Sequence, residues 1–136
     1  ERTSRDYLFG RLLAVAEDIE RYALYAAGEK ARDTSAARLM QRFADRPVST
    51  WRTIELSLRP YIARLRAMRP GVLHKKESLL DDIVALFDPQ EFLTDTPLSG
   101  EFLLGYHCQR QALRSRGESS DDASDTTPTA TTGEPA

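Results

Sequence analysis

The chain contains few of the residue types on which reactive sites depend. Among its 136 residues there are one cysteine, Cys108, and two histidines, His74 and His107. A single cysteine excludes an intrachain disulfide, and a reducing cytoplasm is the simplest compartment for such a chain. The seven glycines are scattered and do not match a phosphate-binding loop. No apolar run approaches about 18 residues, so the sequence predicts neither a membrane span nor a membrane partner.

The candidate catalytic and metal-binding combinations are weak. His107 and Cys108 are adjacent, and neighbouring helical residues point about 100° apart, so the imidazole and the thiol do not face each other. A half-buried histidine beside a small packed cysteine is the simpler interpretation. His74 and Glu77 have the i, i+3 spacing of a ligand pair, but a metal site in a bundle requires matching ligands from other helices. We therefore predict no catalytic residue, metal, cofactor or small-molecule substrate. A hydrolase that depends on His107 or Cys108 stays as a third hypothesis.

Apolar periodicity predicts an all-α protein. Apolar residues recur at steps of three and four over four longer segments, about residues 6–27, 49–68, 72–87 and 99–115, and over a short segment, about residues 35–45. Asp88-Pro89-Gln90-Glu91 is typical of the start of a further short helix. We predict a helical bundle of four main helices plus one short helix over residues 1–116. The acidic, low-complexity residues 117–136 are predicted to be a disordered tail, because they lack large apolar groups.

Several residues carry more local predictions. Thr3 and Asp6 have the spacing of a capping box, and Thr34 is a candidate N-cap. Gly10 lies inside the first helix and indicates a close approach of another helix, whereas Pro60 predicts a kink in the third. The positions predicted to face the core are Leu8, Leu12, Val15, Ile19, Tyr22 and Ala26, then Ala36, Leu39, Met40 and Phe43, then Trp51, Ile54, Leu58, Ile62, Leu65 and Met68, then Leu79, Leu80, Ile83, Leu86 and Phe87, and finally Phe102, Leu103, Tyr106 and Leu113.

The net charge of −2 hides a basic middle segment. Residues 32–76 contain eleven bases and three acids, a local charge of +8, whereas residues 118–136 contain five acids and no base. The candidate nucleic-acid-binding residues form two rows, Arg38, Arg42 and Arg46, and Arg52, Arg59, Arg66 and Arg69. Steps of seven residues advance about 10.5 Å along a helix and suit contacts with a phosphate backbone.

Three interpretations of this basic segment remain open at this point. Trp51, Tyr61 and Phe43 lie nearby and are candidates for stacking on bases, although all three also fit core positions. Arginine is also common in protein interfaces and on solvent-exposed helix faces. In addition, a GC-rich genome produces a bias such as the 16 arginines among 19 bases found here. The acidic tail is a candidate shield for the basic face.

Four strings resemble the C-terminal part of the large subunit of the type I-C CRISPR antiviral complex (Cascade). They are RDYLFGRLLA from Arg5, ARLMQRF from Ala37, STWRTI from Ser49, and PLSGEFLLGYHCQRQ from Pro97. Together they span about Arg5 to Leu113. In this family the helical C-terminal region is also made separately as the small subunit of the complex, and the present chain looks like that product or like an excised domain of the large subunit.

The resemblance implies a helical bundle without catalytic activity. Its partners would be the Cascade backbone subunits, the large subunit and further copies of itself. Such copies line the guide-RNA filament and help to hold the opened target DNA, especially the displaced non-target strand. The guide RNA is a further candidate partner. The alternative function is a structural spacer, whose arginines bind carboxylates of neighbouring proteins.

Overall fold

The computed structural model describes residues 4–29 and 33–115. Within them the elements are four α-helices, namely α1 (Arg5–Ala26), α2 (Ser35–Asp45), α3 (Pro47–Met68) and α4 (Pro70–Val84), then a 3₁₀ turn over Pro89–Phe92. A last helix, α5, covers residues 101–115. These residues contain no strand, and the predicted all-α class is confirmed. The predicted disorder of the tail lies outside the described residues.

Helix α1 is the centre of the bundle. The predicted stripe from Leu8 to Ile19 is fully buried, but Phe9, Leu13 and Ala16 on other sides of the helix are buried as well. The ring of Phe9 makes edge-to-face contacts with three phenylalanines, at centroid distances of 5.8, 4.8 and 5.4 Å. Burial on more than one side of α1 shows that it packs against several helices, so its environment is more buried than one apolar face predicts.

The other helices pack around α1 and alternate in direction. Helices α2 and α4 run antiparallel to α1, whereas α3 and α5 run parallel to it, so α3 and α5 end at the same end of the bundle. The contacts that fix these directions are Phe43–Phe9 and Thr34–Glu17 for α2, Arg64–Ala23 for α3, Lys76–Asp18 and Phe87–Phe9 for α4, and Ser99–Asp6 and Arg110–Glu17 for α5.

The close helix approach predicted at Gly10 is confirmed. A Cβ atom there would overlap the carbonyl oxygen of Phe102 and lie 2.6 Å from the backbone nitrogen of Tyr106. Gly105 of α5 makes the same kind of close contact with α1, because a Cβ atom on it would overlap the carbonyl oxygen of Tyr7. Two glycines thus let the backbones of α1 and α5 come into direct contact.

The helix ends follow local sequence signals, with two corrections. Thr34 caps α2 as predicted and accepts from the Ala37 amide at 3.1 Å. The predicted capping box at the start of α1 is wrong: Ser4 is the N-cap, and Asp6 instead accepts a 2.8 Å hydrogen bond from the Ser99 amide. Thr3 lies outside the described residues.

Prolines begin both α3 and α4, two residues before the predicted starts. Pro47 and Pro70 occupy the first helical position, where the missing N–H costs nothing, and the backbone of the arginine before each lies outside the helical region. Helix α3 continues through Pro60, and the kink there stays a prediction. The 3₁₀ turn has the predicted start, with a capping box between Asp88 and Glu91.

Three residues predicted to face the core are exposed: Met68 at 51%, Leu86 at 42% and Leu103 at 45%. Met68 is the last residue of α3, and Leu86 follows the end of α4, so helical periodicity no longer determines which way they face. Leu103 follows Phe102, through which α5 contacts α1, and is turned away by about 100°.

Buried carboxylates of α1 bind the start of α2. Glu17 accepts hydrogen bonds from the hydroxyls of Thr34 at 3.2 Å and Tyr106 at 2.8 Å, and Glu20 accepts from the Ser35 amide at 2.9 Å. Negative charge is favourable at a helix N-terminus, where backbone N–H groups lack helical acceptors. These acids therefore serve the fold and orient α2.

Candidate nucleic-acid interface

The arginine row of α3 lies on the exposed side of that helix. Arg52, Arg59 and Arg66 are all exposed, because the core side of α3 is formed by Trp51 and Leu58, which point about 100° away from their arginine neighbours and are buried. Steps of seven residues keep the three arginines on one face, about 10.5 Å apart along the axis. The structure therefore presents the predicted row to a partner.

The C-terminal part of this row is partly engaged. Arg66 forms an ion pair with Glu77 of α4 at 3.5 Å, in which the Arg66 side chain is largely exposed and the Glu77 side chain is partly exposed. An exposed pair of this kind contributes only about 0–1 kcal/mol, so a phosphate could replace the carboxylate. Arg69 is exposed at the break between α3 and α4.

The arginines of α2 are also exposed, but they differ in their local contacts. Arg38 donates to the carbonyl of Asp33 and to the hydroxyl of Ser35, both at 3.2 Å, and so lies along the start of its own helix. Arg42 and Arg46 point away from the core. Arg46 also lies near enough to Asp95 to lower the pKa of that carboxyl.

Four of the seven candidate arginines are available for a partner. Within residues 4–29 and 33–115, their guanidinium groups form no ion pair or side-chain hydrogen bond. These four are Arg42, Arg52, Arg59 and Arg69.

Two bases of the segment that were not chosen as candidates serve the fold instead. Arg64 pairs with Glu29 at 2.7 Å and also donates to a backbone carbonyl of α1. Lys76 pairs with Asp18 at 2.5 Å, with both side chains mostly buried, and lies over the ring of Tyr22. The local charge of +8 is therefore larger than the positive charge that is available on the surface for a partner.

Glu55 interrupts the positive row between Arg52 and Arg59. Burial raises the pKa of the Glu55 carboxyl above its ordinary value, and the charges of Arg52 and Arg59 oppose that shift only in part. Leu56, the next residue, is 59% exposed on the same side of α3. Glu55 and Leu56 were not predicted to belong to this surface, although their positions three and four residues after Arg52 place them beside it.

The aromatic residues proposed for base stacking are not displayed as a platform. Phe43 is fully buried, Trp51 is 6% exposed, and both belong to the core. Tyr61 is half-buried, and the guanidinium of Arg64 lies 5.9 Å from the centre of its ring. The stacking prediction is therefore wrong for Phe43, because α2 packs that ring against α1, whereas Trp51 contributes to the lining of a groove.

The residues considered for catalysis do not come together. His107 and Cys108 are both exposed, so the expected half-buried packing is wrong, and the ring of His107 packs against Tyr106 instead. His74 is exposed, and Glu77 is bound to Arg66. The described residues hold no group of three or more side chains able to bind a metal ion. None of their helices is long and apolar enough to cross a membrane.

Fold and surface define a helical module that presents arginines from two consecutive helices. A scan against protein-family models matches residues 1–114 to the family of the CRISPR-associated protein Cas_Csd1. The chain belongs to this family, and it is therefore a protein related to the type I-C Cascade complex. A search of curated proteins finds no match.

Proposed function

We propose that the chain acts as the non-catalytic small subunit of the type I-C complex, either as a separate chain or within the large subunit. In this role it supports the guide-RNA filament and holds the opened target DNA, above all the displaced non-target strand. Its partners are the backbone subunits, the large subunit, further copies of itself and the DNA, with the guide RNA as a further candidate.

The observation that carries this proposal is the exposure of all seven candidate arginines. An exposed arginine can displace counterions from a phosphate, and this is the main source of affinity when the base sequence is not read. The displaced strand has no base-pairing partner, so an electrostatic surface suffices to retain it. Family membership supports this interpretation over a solvated arginine face.

The test compares single-stranded DNA binding by assembled complexes that carry different double variants. R52E/R59E reverses two exposed arginines of α3, and K75E/R114E reverses two exposed bases elsewhere with the same change in charge. We expect R52E/R59E to weaken binding and to reduce the slope of log K against log salt by about 1.4, for two lost phosphate contacts. Equal affinities and slopes for the two variants would remove the proposal.

A structural spacer is the second candidate, and exposed Leu56 supports it. An apolar side chain flanked by arginines is typical of protein interfaces, in which arginine is enriched. This alternative predicts that R52E/R59E prevents incorporation of the chain into the particle. Size-exclusion chromatography of complexes assembled with the variant distinguishes loss of the subunit from loss of DNA.

A further inference from the structure

A surface groove lies along α3 where α4 packs against it. Its volume is about 480 Å³, and its lining is mostly apolar. The apolar side chains that line it are Trp51, Leu56, Leu58, Ile62 and Leu80. Trp51 and Leu58 are buried and form the deepest part, whereas Leu56 is 59% exposed and forms a wall. The groove could therefore cover a flat apolar group on one face.

Cationic side chains border this groove. Arg52 and Arg59 both contribute to its lining and are exposed. They lie two helical turns apart, about 10.5 Å along the axis, with Leu56 between them. An occupant that complements this arrangement carries negative charge on both sides of an apolar centre.

Glu55 adds an acceptor to the same groove. Its carboxylate forms no ion pair with Arg52, Arg59 or any other base in the part of the chain that the structure describes. A carboxylate repels phosphate, so a strand cannot lie with its phosphates along the whole of this face. Burial raises the pKa of Glu55, and a hydrogen-bond donor at its carboxylate would favour the charged form.

We infer that this groove binds one unstacked base of single-stranded DNA, an amino-bearing base such as cytosine. The base face packs on the apolar lining, its exocyclic amino group donates to Glu55, and the flanking phosphates bind Arg52 and Arg59. Acidic side chains accept from the amino group of cytosine in this way, and apolar contact with a base tolerates many sequences. This inference rests on the proposed DNA contact, and it adds a base preference that phosphate binding alone does not give.

The chain supplies its own reporter for the test. Trp51 is the single tryptophan, and it lines the groove. We would titrate the full chain at low salt with oligo-dC, oligo-dT and an abasic oligonucleotide of equal length. Fluorescence anisotropy reports binding, and Trp51 emission reports occupation of the groove. We expect oligo-dC to bind about fivefold more tightly than the abasic oligonucleotide and to change Trp51 emission.

Two pairs of variants separate the groove from the phosphate contacts. L56S removes the wall of the groove, and L93S is its control, because Leu93 is 76% exposed and lies outside it. E55A removes the acceptor, and D82A is its control, with the same change in charge at an exposed site. We expect L56S to bind all three oligonucleotides alike and E55A to lose the preference for dC over dT, whereas both controls keep the wild-type pattern.

The outcomes distinguish failure of the groove from failure of DNA binding. If the chain binds the three oligonucleotides equally and Trp51 emission does not change, the groove does not bind a base and the inference is overturned. The proposed phosphate contacts of the arginines would not be affected by that result. If L56S excludes the chain from the assembled complex without changing DNA affinity, the groove is a protein-docking site and the inference is overturned. If no oligonucleotide binds and R52E/R59E behaves as wild type in the complex, the proposed function fails as well.

Discussion

Gly10 on α1 packs directly against the backbone of Phe102 on α5, with no space for a Cβ atom between the two helices. The substitution G10A therefore forces the helices apart and should lower the free energy of unfolding by about 1–3 kcal/mol. Chemical denaturation with urea measures this loss. The matched control is G71A in α4, where an added Cβ atom meets nothing within 4 Å.

The control variant G71A is also expected to change the free energy of unfolding in a defined direction. Alanine is favoured over glycine inside a helix by about 0.5–1 kcal/mol, so G71A should be neutral or stabilising. A G10A variant as stable as G71A would contradict the close approach.

Asp95 caps α3 from 46 residues away along the chain. Its carboxylate accepts from the backbone amides of Val48 and Ser49, at 2.9 and 3.3 Å, and from the Ser49 hydroxyl. Loss of a helix cap costs about 1 kcal/mol, so D95A should be destabilised by about that amount at neutral pH. Thermal unfolding measures it, with D82A as an exposed acidic control.

The Asp95 effect should disappear in acid. Burial disfavours the ionised carboxylate, but the hydrogen bonds from Val48 and Ser49 and the charge of Arg46 outweigh it and lower the pKa of Asp95. The folded pKa lies below the unfolded value of about 3.9, so this stabilisation is full above that value and is lost as the pH falls through the folded pKa. A difference between wild type and D95A that persists unchanged into strong acid would show that the charge is not responsible.

Tyr106 joins α5 to the buried carboxylate of Glu17. Burial, together with the hydrogen bond to Glu17 and its charge, raises the pKa of Tyr106 to about 12. The unfolded chain ionises near pH 10, so this contribution to stability is full below about pH 10 and is lost as the pH rises towards 12. We expect Y106F to be destabilised by about 2 kcal/mol at neutral pH and to remove the last step of the tyrosinate absorbance titration.

The control for Y106F is Y25F, because Tyr25 is 65% exposed. Y25F should leave both stability and the highest ionisation step unchanged. If the two variants titrate alike, the buried hydrogen bond between Tyr106 and Glu17 is not maintained in solution.

The helices were predictable where local signals agree. Helix α2 begins and ends as predicted, because Thr34 offers a cap and Arg46-Pro47 stops the helix. Gly10 also predicted a close helix–helix contact correctly, because glycine destabilises a helix interior and is therefore expected there mainly where another backbone comes close. The exposed arginines of α3 followed from the helical period once the apolar stripe was assigned.

What could not be predicted depends on residues far apart in sequence. The hydrogen bonds of Asp95 to α3 and of Glu17 to Thr34 need the tertiary fold, and no local pattern marks them. The burial of Phe9, Leu13 and Ala16 outside the predicted stripe of α1 also follows from how many helices surround it. The groove was missed for the same reason, because Leu80 of α4 completes it.

The acidic tail yields a prediction from charge and topology. Helix α5 runs parallel to α3, so residue 115 lies toward the end of the bundle where α3 ends, and residues 118–136 carry five acids and no base. We propose that these acids compete with DNA for the basic face of the free chain. A chain lacking residues 118–136 should bind single-stranded DNA more tightly at low salt, and the gain should vanish at high salt. Equal affinities at low salt would contradict this shielding.

Crosslinking inside an assembled particle tests the central claim most directly. A photoreactive residue placed at Arg59, with Arg114 as the control position, reports what lies against α3 when target DNA is opened. The proposed function predicts a crosslink from position 59 to the displaced non-target strand and none from position 114. Crosslinks from position 59 to neighbouring protein subunits alone would contradict it and would favour the structural spacer.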